Sequence, residues 1–127
     1  MSGFTNYLEN AVMNHVFGGS PYTAPSNVYL ALFTVTPSDA GGGTEVSSGG
    51  YSREVVSLGS VIDGAISNSS IISFTATGGD FGTIVATGLY DASTFGNLLT
   101  WAPITPATIN DGDTLSFAIG SVAVSLD

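Results

Sequence analysis

NVYLALFTVTPSDAGGGTEVSSGGY, residues 27 to 51, runs from an unbroken apolar segment through a glycine-rich stretch into a second strand-like segment. In the apolar run, Val28, Leu30 and Leu32 fall on one face of an extended chain, and Tyr29, Ala31 and Phe33 fall on the other. Successive side chains of a strand point to opposite faces, so a strand that is apolar on both is covered on both sides. Residues 27 to 35 are therefore expected in the middle of a sheet, with a sandwich core on one side and an N-terminal helix on the other. Residues 36 to 50 hold five glycines, one proline and two acids. That composition predicts a long loop leaving the body of the domain, either as a surface excursion or as an arm to a neighbour. No lysine follows the glycines and no helical pattern starts there, which excludes a phosphate-binding loop.

Downstream, residues 51 to 58 predict a second strand with Val55 and Val56 at its centre. Asp63-Gly64 lies between apolar residues and signals a tight hairpin. Asn68-Ser69-Ser70 marks another turn, followed by a strand over residues 71 to 75 and a break at Gly78-Gly79-Asp80. Further strands are expected over 82 to 90 and 97 to 104, separated by a turn at 91 to 96. Pro103 suggests an edge or a strand end, and residues 105 to 113 read as a loop. Residues 114 to 126 give the clearest alternation. Leu115, Phe117 and Ile119 share one parity, and Val122, Val124 and Leu126 share the other. A bulge or bend at Gly120 would let both halves face one core.

Upstream, Phe4, Tyr7, Leu8, Ala11, Val12, His15 and Val16 recur at three- and four-residue spacing, which predicts a helix over residues 4 to 17. Ser2 or Thr5 would cap it and Gly18-Gly19 would stop it. An isolated helix this short is marginal in water, so it is expected to pack on the sheet or on a neighbouring subunit. One helix and about seven or eight short strands predict a mainly β chain. The expected fold is an antiparallel β-sandwich, jelly-roll-like in one possible topology, forming a single domain over residues 1 to 127.

The charge balance excludes several functions. Ten acids face a single cation, Arg53, there is no lysine, and the net charge is −9. A nucleic-acid interface needs a basic face that this composition does not supply. Anionic lipid surfaces are disfavoured for the same reason. A basic or neutral protein partner suits such a chain. No segment has the apolar length of a membrane span, and residues 1 to 10 lack the basic and apolar regions of a signal peptide. Synthesis and assembly in a cytoplasm are expected.

The residues that carry chemistry are sparse. With no cysteine and one histidine, His15, the common zinc ligand sets are not available. Asp111 and Asp113 flank a glycine, which is ordinary turn chemistry before it is a calcium site. No nucleophile and base can be paired, so no catalytic residue, cofactor or metal is expected. Arg53 must find a carboxylate, and Asp39, Glu45 and Glu54 are the candidates. Tyr51, Tyr90 and Trp101 suit a subunit interface or, less simply, a sugar platform. Asp39, Glu45, Tyr51, Arg53, Tyr90 and Trp101 are thus the candidate partner-binding residues.

MSGFTNYLENAVMNHVFGG, YLALFTVTPSDAGGGTEVSSGGYSREVV, the ISNSS turn, GLYDASTFGNLLTWAPI and NDGDTLSFAIGSVAVSLD together cover most of the chain. In these stretches the sequence resembles a family of short proteins of tailed bacteriophages, often labelled tail fibre or virion structural proteins. The resemblance implies a non-enzymatic virion component. Its short, acidic chain without a repeat or coiled-coil shaft favours a capsid cement or decoration protein, a dimer or trimer bound to the major capsid protein or other virion proteins. A tail-fibre or tail-tip component and a carbohydrate-binding module for the host surface are the alternatives. On this reading, deletion of residues 40 to 48 is expected to weaken particle binding and leave the β fold intact.

Overall fold

The apolar run forms β1 (Val28–Val35) in the computed structural model, which describes residues 3–126. Leu30, Ala31, Leu32 and Phe33 are all buried, so both faces of this strand are covered, as its two-sided apolar pattern requires. The remaining elements are α1 (Asn6–Val16), β2 (Thr44–Glu45), β3 (Glu54–Val56), β4 (Ala65–Ser67), β5 (Ile72–Thr75), β6 (Gly82–Tyr90), β7 (Leu98–Ile109), β8 (Thr114–Phe117) and β9 (Ala123–Ser125). All strand pairings are antiparallel. The main sheet has the order β2-β1-β6-β7, and β3 pairs with the start of β1, sharing its outer edge with β2. Two separate ribbons, β4–β9 and β5–β8, complete the strands.

The core lies between the main sheet and the ribbons. Leu30, Leu32, Ile84, Leu89 and Ile109 of the sheet pack with Ile72 and Phe74 of β5, with Val122, and with the half-buried Leu115, Phe117 and Val124. The chain is therefore mainly β, antiparallel and sandwich-like, with one helix. The opposite face of the sheet carries a smaller cluster of Ala31, Phe33, Ala86 and Leu98, closed over by Tyr90 and Trp101.

The helix packs against β7, as expected of a helix laid on the sheet, but only lightly. No residue of α1 is buried. The cause is where the helix begins. Phe4 bridges Thr100 on the outer edge of β7, the Thr5 N–H donates to Leu99 O at 2.9 Å, and Thr5 Oγ1 donates to Leu98 O at 2.6 Å. Thr5 also caps the helix by accepting from the Leu8 N–H. Phe4 and Thr5 are thus held at the sheet edge, and the helix starts at Asn6 instead of at residue 4. Ser2, the other expected cap, lies outside the described residues. Leu8, Ala11 and Val12 are half-buried, whereas Tyr7, Met13, Val16 and Phe17 are exposed.

The glycine-rich stretch also departs from expectation. It does not leave the domain: Thr44 and Glu45 pair with Val35 and Phe33, and the Val46 N–H donates to Leu32 O at 3.0 Å. Val46 enters the core. The edge of β1 beyond β3 has backbone groups that need partners, and the Thr-Glu-Val segment supplies them. Gly41, Gly42 and Gly43 all have positive φ and turn the chain back.

β7 runs five residues past the predicted end at 104, through Pro103 and Pro106, and the expected loop over 105 to 113 shrinks to a turn at Asn110–Asp113. Ile84 pairs with Ala107 but Ala86 pairs with Pro103, so the ladder is interrupted where the prolines lie. A proline on an edge strand or at a bulge costs no ladder hydrogen bond. The last alternating segment is two strands in different ribbons, not one strand with a bulge. Ser121 N–H donates to Ala118 O, Gly120 has φ 82°, and the chain bends there from β8, on β5, to β9, on β4. Asn68 fixes this bend. Its Nδ2 donates to Ser70 O at 2.9 Å and Ala118 O at 3.0 Å, and its Oδ1 accepts from the Val122 N–H at 3.0 Å. The Asp63-Gly64 hairpin forms as predicted, with positive φ at both residues and paired bonds between Ile62 and Ala65.

Candidate functional site

The edge of β1 where β2 and β3 meet places Glu45, Tyr51 and Arg53 beside the end of β6, which carries Tyr90. Arg53 Nε donates to Glu45 Oε2 and Arg53 Nη2 to Glu45 Oε1, both at 2.9 Å, a two-pronged ion pair. Arg53 Nη1 donates to Ala92 O at 2.8 Å and to Phe95 O at 2.7 Å. The guanidinium carbon lies 3.5 Å from the centre of the Tyr90 ring. The Tyr51 hydroxyl donates to Glu45 Oε2 at 2.6 Å and accepts from the Leu32 N–H at 3.0 Å. Planar, charge-assisted pairing of this kind is strong and directional, and the aromatic face adds to it. Of the three carboxylates expected to compete for Arg53, Glu45 is the one that holds it.

With its side chain only 7% exposed, Arg53 is not offered to an outside anion. Burial, reinforced by the hydrogen bond to Glu45, holds the Tyr51 hydroxyl well above the ordinary phenol range. Burial and then the Glu45 charge raise Tyr90. Both phenols stay neutral near pH 7, so neither acts as a nucleophile or a base there.

Arg53 shapes the loop joining β6 to β7. Asp91 Oδ1 accepts from the Asn97 N–H at 2.7 Å and Oδ2 from Asn97 Nδ2 at 2.9 Å, which closes the base of the loop. At its tip Phe95 has φ 54°, and the residue is 90% exposed. Gly96 follows with φ 73°, and a Cβ there would lie 2.5 Å from Asp91 Oδ1. The loop is therefore a rigid mount for an exposed aromatic ring. The sequence reading found the turn but not Phe95; the available signal was an aromatic residue placed directly before glycine inside a turn.

The other two expected partner-binding residues form a neighbouring pair. Trp101 Nε1 donates to Asp39 Oδ1 at 3.3 Å, and Asp39 O accepts from the Asn6 N–H at 2.9 Å. Tyr90 and Trp101 pack on the same small cluster, so the two groups adjoin. A shallow cleft of about 280 Å³ lies between Tyr7, Asp39, Tyr90 and Asn97, and one of about 300 Å³ between Glu45, Tyr51, Arg53 and Phe95. His15, away from both, accepts from the Tyr22 N–H at 3.0 Å and holds the chain as it returns from the helix. Asp80, Asp111 and Asp113 accept backbone N–H groups of turns. No group of three or more His, Cys, Asp or Glu side chains suited to a metal occurs among the described residues. No helix among them is long and apolar enough to cross a membrane.

This arrangement holds strands and loops together and displays side chains. A family model described as Podophage GP4 fiber I protein gp80 matches residues 3–125. The chain belongs to that family. Membership of the gp80 family makes it a bacteriophage virion structural protein, in agreement with the resemblance carried by the sequence stretches quoted above. No curated protein matches the chain. The gp80 family match spans both the Arg53 network and the Phe95 loop.

Proposed function

We infer that this chain is a non-enzymatic component of a phage fibre and acts through protein–protein contact. The match to a fibre family over residues 3–125 carries this reading. The geometry supports it: the one cation and the nearby phenols brace a loop that presents Phe95, and the exposed apolar residues Met13, Val16 and Phe17 cluster at the end of α1. Other virion proteins and further copies of the chain, in a dimer or trimer, are the partners that such surfaces suit. With Arg53 buried, the surface presents no side-chain cation to a nucleic acid or an anionic membrane. The Tyr90 ring, one of the three aromatics of the expected sugar platform, has Arg53 on one face.

Cryo-electron microscopy of intact virions carrying a tagged copy tests the placement. Density on the tail or its fibres is the expected result. Density confined to the capsid shell would replace this reading with the capsid-cement one.

A further inference from the structure

Among the described residues Phe95 is the most exposed of the large hydrophobic ones, and the backbone that carries it is braced by Arg53, Asp91 and Asn97. A backbone held in place before contact leaves only the two rotations of the aromatic side chain to be lost on binding, a low cost for an interface anchor. Elsewhere, at the end of the β4–β9 ribbon, the surface has a hollow of about 210 Å³ lined by Phe4, Val61, Ala65, Ile66, Val124 and Leu126. Its size exceeds the roughly 150 Å³ of an apolar cavity that takes up a benzene ring. Ser125 is its one polar side chain, and no charged residue lines it. The segment Ala92–Gly96 around the ring is uncharged as well. At physiological ionic strength charges more than about 8 Å apart are largely screened, so two copies of a chain of net charge −9 meet at least cost where neither surface brings further acids together. Here one such surface is convex and aromatic and the other is concave and apolar, and they share no residue.

We propose that Phe95 of one copy seats in the hollow between Val61, Ile66 and Leu126 of a second copy. The occupant is the same chain, and the contact is heterologous: each molecule offers one anchor and one hollow. Repeated, such a contact closes into a ring or continues as a filament. It concerns how copies join, wherever in the virion they sit, and its test uses purified protein, so it and the placement above can fail independently.

Analytical ultracentrifugation of the full chain and of two variants, Phe95→Ser and Val61→Asp, tests it. Both positions are exposed, so each variant is expected to fold, and circular dichroism checks this. The wild type is expected to show concentration-dependent association, weakened roughly tenfold or more in each variant. A mixture of the two variants is expected to form a heterodimer and nothing larger, because Phe95 of the Val61→Asp chain still meets the intact hollow of the Phe95→Ser chain. A wild type that stays monomeric at its highest soluble concentration overturns the proposal. So does a Phe95→Ser chain that associates like the wild type, or a mixture that fails to pair.

Discussion

Arg53 contributes more than a surface cation because it has several partners and little water. An exposed pair stabilises by roughly 0–1 kcal/mol. Removing one partner from a buried, hydrogen-bonded pair leaves the other charge unsatisfied. Arg53→Ala is therefore expected to lower stability by about 2–4 kcal/mol in urea unfolding. Arg53→Lys should recover little of it, since an ammonium cannot bridge both Glu45 oxygens and two loop carbonyls at once. Asn68 is the counterpart in the ribbons: it is 1% exposed, and Asn68→Ala abandons the Val122 N–H and two carbonyls, for an expected loss of about 2–3 kcal/mol. Tyr51 sets a pH limit. Its phenol pKa is raised in the folded state, so the unfolded chain deprotonates first. The stability it contributes is fully present below the unfolded value of about 10 and is lost as pH rises beyond it. Unfolding curves between about pH 8 and 11 should show a steep alkaline loss, shallower in Tyr51→Phe, which has no hydroxyl to ionise.

Among the elements, β2 changes the expected result of shortening the glycine-rich stretch. Deletion of residues 40 to 48 removes both residues of β2 and Val46 from the core, so it should destabilise the fold and not just a surface contact. The glycine turn before β2 gives a finer comparison. At Gly42, φ is 77° and a Cβ would meet only open space, so Gly42→Ala should cost about 1–2 kcal/mol from backbone strain alone. At Gly43 a Cβ would sit 2.7 Å from Val35 O, so Gly43→Ala should cost distinctly more in the same measurement. The strand at 82 to 90 and the Asp63-Gly64 hairpin were legible because alternation and turn chemistry are local. β2 was not: its pairing answers a need at the edge of β1, which no window over the glycines contains. The split between β8 and β9 was half legible. The change of parity at Gly120 signalled a bend, while the assignment of each half to a different ribbon depends on Asn68, some fifty residues away. The helix pattern and its placement against the sheet were legible, but not how light that packing is, which follows from Thr5 tying the start of the helix to the edge of β7. Hydrogen exchange should show this directly: amides of α1 are expected to exchange much faster than those of β1 and β6, and to slow in an assembly that covers the helix.

Over the whole molecule, ten acids against one cation act as a long-range repulsion on the folded state. Raising ionic strength from about 0.01 to 0.15 M shortens the screening length from roughly 30 to 8 Å, so thermal stability should rise with salt over that range. The candidate site was legible in its membership and not in its purpose. Glu45, Tyr51, Arg53 and Tyr90 do converge, but as a brace inside the fold, and Phe95, which the brace supports, carried no sequence signal strong enough to single it out. Burying the sole cation has one more effect. Trypsin cuts after lysine or arginine in accessible, extended chain, and this protein offers it a single place, the bond between Arg53 and Glu54, guarded by a guanidinium locked to four acceptors. Cleavage must await the opening of that lock. The protein thus carries a built-in clock for its own unfolding: digestion should yield only residues 1 to 53 and 54 to 127, at a rate that tracks the population of the opened state.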